Sequence, residues 1–202
     1  MSSVALFSQA ADTFVDLVSR ITPAQWDDPG LGSWTVRDLA GHTTRAILTV
    51  TTYLGHDEPG DVTVPTAEHY YTVALTQFGD DASVAARGIE AGRWLGDDPV
   101  VKIRQALTEA RTALAAQLPN RVVSIGGMGI PLAEYLRTRV FELTVHTIDL
   151  ARATGLPHGL PAAVLAEAAS LSARTAVARG HGDELLLALT GRQPLPDGFS
   201  VV

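Results

Sequence analysis

The chain has 202 residues, enough for one domain or for one domain with a small appendage. Hydrophobic residues make up 46% and charged residues 18%, which supplies a real core and excludes a disordered polymer. A net charge of −7 without any lysine- or arginine-rich run excludes nucleic acid and anionic membrane as expected partners, and the absence of cysteine excludes disulfides, zinc–thiolate sites and a cysteine nucleophile.

No apolar run reaches the roughly 18 residues that a membrane-spanning helix needs. The opening MSSVALFSQAADTF has neither a cationic start nor a signal-like apolar stretch, so the cytoplasm is the expected location. In chain order, Val4, Phe7, Ala11, Phe14, Leu17 and Val18 make one face of an amphipathic helix from Ser3 to about Arg20. Thr22-Pro23-Ala24-Gln25 predicts a capped short turn that delivers Trp26, and Asp28-Pro29-Gly30 breaks the chain. Thr35-Val36-Arg37-Asp38 is a capping box that starts a helix to about Leu54, on which His42 shares its face with Leu39, Ala46, Val50 and Tyr53.

After a Gly/Pro/Asp loop over His56 to Pro65, a helix is expected from Ala67 to Phe78. It continues towards Trp94 with a break at Gly79-Asp80-Asp81. Asp98-Pro99 caps a helix through Ile103, Leu107, Ala110, Leu114 and Leu118. Val122 and Val123 carry the one strand-like signal, and Gly126-Gly127-Met128-Gly129 reads as a flexible connector, since the lysine and βαβ context of a phosphate loop are missing. A long helix spans about Pro131 to Thr154, ended by Gly155, followed by an alanine-rich helix from Pro161 to Ala178 and a short one from Glu184 to Leu189. The expected architecture is all-α: a bundle of four main helices over residues 1–155 and a short C-terminal helical extension over 156–202.

On the long helix, Arg139, Glu142, His146 and Asp149 recur at spacings of three and four and share one stripe, at about 100° per residue. Leu136, Leu143 and Leu150 flank it on one side and Phe141, Val145 and Ile148 on the other. A second polar strip with Arg137 and Thr144 can meet water, which leaves the flanked stripe to be buried and its charges to be paired or bound to a metal. Glu142 and His146 project from adjacent turns and can converge on one cation, with His42 as the natural third ligand and His69 in reserve. Two histidines and a carboxylate leave positions open, as catalytic sites do; zinc leads, and iron, nickel, manganese and cobalt accept the same donors. The plainer reading is a surface Glu142–His146 pair with His42 as a hydrogen-bonded core histidine. Asp149 either orients the His146 imidazole or pairs with Arg152 at the helix end. Arg139 either holds an anionic substrate or balances Glu142, the second being preferred.

The stretch Gly32-Ser33-Trp34-Thr35-Val36-Arg37-Asp38-Leu39-Ala40-Gly41-His42, with Tyr135-Leu136-Arg137-Thr138-Arg139-Val140-Phe141-Glu142 and Val145-His146-Thr147-Ile148-Asp149-Leu150, resembles the mycothiol-dependent maleylpyruvate isomerase family. That family lies in the DinB-like superfamily of actinobacterial and related proteins. The resemblance covers roughly residues 5 to 155, and Leu189-Thr190-Gly191-Arg192-Gln193-Pro194-Leu195-Pro196 is similar to the ends of its shorter members. It implies a DinB-like four-helix bundle that holds a divalent metal, usually zinc, through His42, Glu142 and His146. It also implies that mycothiol takes the open metal position and reacts as thiolate. Characterised isomerases of this kind carry a further α/β domain that contributes an arginine. Only about 45 residues follow Gly155 here, and Arg192, the one arginine near the C-terminus, has no evident tie to the site. Maleylpyruvate isomerisation itself is therefore not expected. The expectation is a metal-dependent, thiol-using transferase or isomerase-like enzyme acting on a small molecule, with a homodimer allowed. Hydrolysis by metal-activated water, or a helical binding or regulatory module without chemistry, are the alternatives.

Overall fold

Side-chain caps set the helix starts. Ser2 accepts from the Ala5 N–H and opens α1 (Ser3–Ser19); Thr35 and Asp38 cap each other's backbone at the head of α2 (Val36–Leu54); Asp98 accepts from Val101 ahead of α5 (Pro99–Ala115). The computed structural model describes residues 1–73 and 81–202. Between α2 and α5 stand α3 (Ala67–Val73) and α4 (Asp81–Trp94). The expected helix end at Phe78 and the break at Gly79-Asp80 fall outside the described residues. The longest helix, α6 (Leu132–Thr154), stops at Gly155, whose φ of 68° only glycine adopts cheaply. Helices α7 (Ala162–Ala178) and α8 (Gly182–Leu189) follow.

Helices α1, α2, α5 and α6 each pack on two of the others, α1 on α6, α6 on α2, α2 on α5 and α5 on α1, closing a four-helix bundle. Phe7, Phe14, Leu17, Leu39, Ile47, Ile103, Leu136 and Leu143 fill its centre. The all-α expectation holds, with one two-stranded exception among the described residues. The turn at Pro23–Asp27 buries Trp26 as expected, and Gln25 ties it to the end of α6 through Nε2 donating to Thr154 O at 2.9 Å.

Two expectations are corrected. The glycine-rich stretch is no free connector: β1 (Val122–Ile125) and β2 (Met128–Pro131) form an antiparallel hairpin in which Ile125 pairs with Met128. Gly126 and Gly127, both at positive φ, make its two-residue turn. Val123, Ile125 and Ile130 are buried, and Gly129 lies so close to the Asp61 backbone that a Cβ would not fit. The second polar strip of α6 is also mostly covered rather than open to water. Thr144 is 2% exposed and bonds back to Val140 O. Arg137 sits among three glutamates, Glu167 at 2.6 Å, Glu134 at 2.8 Å and Glu68 at 3.3 Å, contributed by α7, α6 and α3. Helices α3 and α7 cover most of that face, so both polar strips of α6 are largely internal.

Candidate metal centre

Helices α2 and α6 run past each other in opposite directions, since His42 meets His146 while Thr49, further along α2, meets Tyr135, earlier on α6. Their approach brings together the three side chains named from the sequence. His42, Glu142 and His146 each offer a ligand atom, and these atoms lie within 4.8 Å of one another. Among the described residues this is the group that could hold a metal ion; His69 stands outside it. The plainer reading, with Glu142 and His146 out on the surface, is not what the fold produces.

Glu142 and His146 are each held from behind. The His146 ring places Nε2 3.4 Å from Glu142 Oε2 and Nδ1 3.1 Å from Asp149 Oδ2. Asp149 thus orients the imidazole, and it makes no pair with Arg152. The other oxygen of Glu142 accepts from the Tyr71 hydroxyl at 2.9 Å. Tyr71 was absent from the sequence reading: it reaches the site from α3, and no spacing on α6 or α2 announces it. Trp34 closes the third side, its ring 4.6 Å from that of His42 and its indole N–H donating to Ala85 O. The loop over His56 to Pro65 packs on the hairpin, where Thr63 and Val64 donate to Gly129 O.

Arg139 makes no ion pair with Glu142. It is 9% exposed, with its guanidinium 5.1 Å from the centre of the Tyr135 ring and 5.9 Å from that of Tyr70. Burial opposes its charge, and Tyr135, Tyr70 and Glu142 outweigh that penalty, so the arginine balances Glu142 through space.

The electrostatics divide the three side chains. Burial, and the positive charge of His146, push His42 down to about 4, so it is neutral at physiological pH. Burial also disfavours charge on Glu142 and His146, but their mutual hydrogen bond, with Arg139 acting on the one and Asp149 on the other, wins. Glu142 falls to about 2 and His146 rises to about 9. His42 Nδ1 is buried and has no hydrogen-bond partner. A buried imidazole nitrogen without a partner beside an ionised carboxylate is a set of donors short of one cation. The residues fit a divalent metal.

A family model, the mycothiol maleylpyruvate isomerase N-terminal domain, matches residues 7–151. The chain belongs to that family. The match spans the four-helix bundle and all three clustered residues. No curated protein and no solved structure matches the chain. The mycothiol maleylpyruvate isomerase N-terminal domain family links this bundle to a small thiol, and the cluster of His42, Glu142 and His146 is compatible with a metal site. Among the described residues no helix is long and apolar enough to cross a membrane.

Proposed function

We propose that the protein is a metal-dependent enzyme that uses mycothiol, or a thiol like it, to transfer or isomerise a small molecule in the cytoplasm. Zinc is the favoured metal, held by His42, Glu142 and His146. The observation that supports this most is the convergence of ligand atoms of His42, Glu142 and His146 from two helices, with a buried Nδ1 on His42 that has no partner. A bound divalent cation would act as Lewis acid, lowering the pKa of a thiol or water at an open position. The chain's own groups prepare for it. Asp149 holds the His146 Nδ1 proton and turns Nε2 towards Glu142. Tyr71 pins one oxygen of Glu142 and leaves the other facing His146. Trp34 shields the His42 ring from water.

Elemental analysis of the purified protein is expected to show one divalent metal per chain, and His146→Ala to abolish it. Metal content unchanged in that variant would refute the ligand set. Turnover that survives removal of low-molecular-weight thiols would mark hydrolysis by metal-held water instead.

A further inference from the structure

We propose that α8 and the apolar cleft beside it form a two-fold interface with a second copy of this chain, α8 packing antiparallel on its counterpart.

Half of α8 is leucine, yet none of its eight residues is buried. Leu185, Leu186 and Leu189 recur at spacings of three and four and share one face. Leu186 is 63% and Leu189 73% exposed. A helix this short gains little from its backbone bonds alone, so it depends on packing that these two leucines do not find among the described residues. Between that face and α7 lies a cleft of about 470 Å³, lined by Ala169, Ala173 and Ala176 of α7, Leu185 and Leu189 of α8, and Phe199 of the tail. The tail wall is pinned in place. Arg179 donates to Val201 O at 2.7 Å, and the Phe199 ring stands edge-on to His181 with centroids 5.5 Å apart.

The lining limits what fits. Among the described residues no charged side chain lines the cleft, and its two hydroxyls are spent inside the chain, Ser172 donating to Ala168 O and Ser200 to Val202 O. Small-molecule sites hold their ligand by a few convergent polar groups; this cleft offers none, so its occupant brings aliphatic side chains. The charges at the two ends of α8 say whose. Asp183 precedes Leu186 by three residues and Arg192 follows Leu189 by three. The Arg192 N–H donates to Leu187 O at 2.8 Å, which keeps that residue at the helix end. Both side chains are exposed, and neither has an ion-pair partner among the described residues. A two-fold axis midway between Leu186 and Leu189 is also midway between Asp183 and Arg192. One antiparallel register therefore sets Leu186 on the partner's Leu189 and Asp183 beside the partner's Arg192, and symmetry makes each contact twice. Because Leu189 also borders the cleft, the same register brings the leucines of one copy to the cleft mouth of the other. The surface is complementary to itself in both shape and charge.

Sedimentation velocity over a concentration series is expected to show a monomer–dimer equilibrium for the wild-type chain. Leu186→Glu should leave only monomer, with far-UV circular dichroism showing that the bundle stays folded. Asp183→Arg and Arg192→Asp should each raise the dimer dissociation constant about tenfold or more, because like charges then meet at both ends of the helix pair. Mixed in equal amounts, these two single variants should dimerise as tightly as the wild type, since each supplies the charge that the other needs. A role confined to one chain gives no such rescue. A wild-type chain that is monomeric at every concentration overturns the proposal. So does a dimer that persists in Leu186→Glu, or a mixture no tighter than either charge variant alone. Uptake of a fluorescent fatty acid by a monomeric wild-type chain would assign the cleft to a free apolar ligand and overturn it as well.

Discussion

The Tyr71 hydroxyl has one proton to give and two oxygens in reach, Glu142 Oε1 at 2.9 Å and Thr138 O at 3.2 Å. The ionised carboxylate is the stronger acceptor, so this donor fixes the rotamer of a candidate metal ligand. Tyr71→Phe keeps the ring against Phe141 and removes only the donor. Metal binding is expected to weaken about 10–100-fold, as measured by competition with a chromophoric chelator. The melting temperature should fall by only a few degrees. Protons compete at the same site. With His146 raised to about 9 and His42 lowered to about 4, the metal-free site holds one imidazole proton at neutral pH. Metal binding near pH 7 should therefore release close to one proton per chain, seen as a dependence of calorimetric heat on buffer ionisation, and affinity should rise with pH up to about 9. The stability sign is the opposite. The raised His146 stabilises the metal-free fold fully below 6.5 and ceases to do so as pH climbs through about 9. The lowered Glu142 contributes above 4.5 and loses that as pH falls towards about 2. Melts in chelator should peak between those limits. Glu142, His146 and Asp149 were legible because spacing on α6 fixes which side chains share a face, and His42 because it is a polar residue on the apolar face of α2. Tyr71 was not, because either of the neighbouring Tyr70 and Tyr71 could have turned inward until α3 docked.

At the scale of elements, the close crossing of α2 and α4 depends on missing side chains. A Cβ on Gly41 would collide with the backbone of Ala91 and Gly92, and one on Gly88 with the Trp34 ring. Gly41 also precedes His42, so the crossing and the site share a backbone. Gly41→Ala is expected to cost about 1–3 kcal/mol, read by thermal melting, and to weaken metal binding as α2 shifts. Gly60→Ala, with open space around it, is the silent control. Helix starts and stops were legible from caps, because Thr35, Asp38, Asp98 and Gly155 act on backbone atoms a few residues away. The hairpin was half legible. Val122 and Val123 gave strand character, but without a seen partner strand Gly126 and Gly127 looked like slack.

For the molecule as a whole, the residues after Gly155 help to build the site. Ala168 and Leu171 of α7 pack with Ala67, Tyr71 and Phe141, and Glu167 completes the cluster on Arg137 that also holds Glu68 of α3. Helix α3 is what delivers Tyr71 to Glu142, so α7 supports the metal position from two layers away. A chain ending at Gly155 is expected to expose Tyr71 and Phe141, bind a hydrophobic dye and melt less cooperatively. Its metal affinity should fall further than in Tyr71→Phe. Domains have only about 5–15 kcal/mol of stability to lose, and this cut removes an entire packed helix. Full metal affinity and an unchanged melt in the truncated chain would show that the extension is dispensable.

By itself, the order of residues determined the helical class, most helix boundaries, and which ionisable groups lie on one face of α6, because these are local matters of capping and periodicity. It also supplied His42 as a polar residue on a core-facing stripe. Only the tertiary structure decided that α2 and α6 meet at the height where His42 reaches Glu142 and His146. The same packing brought Tyr71 in behind them and covered most of the second polar strip of α6. Those outcomes depend on contacts between residues far apart in the chain, and burial, which sets their charges, exists only once the helices have packed.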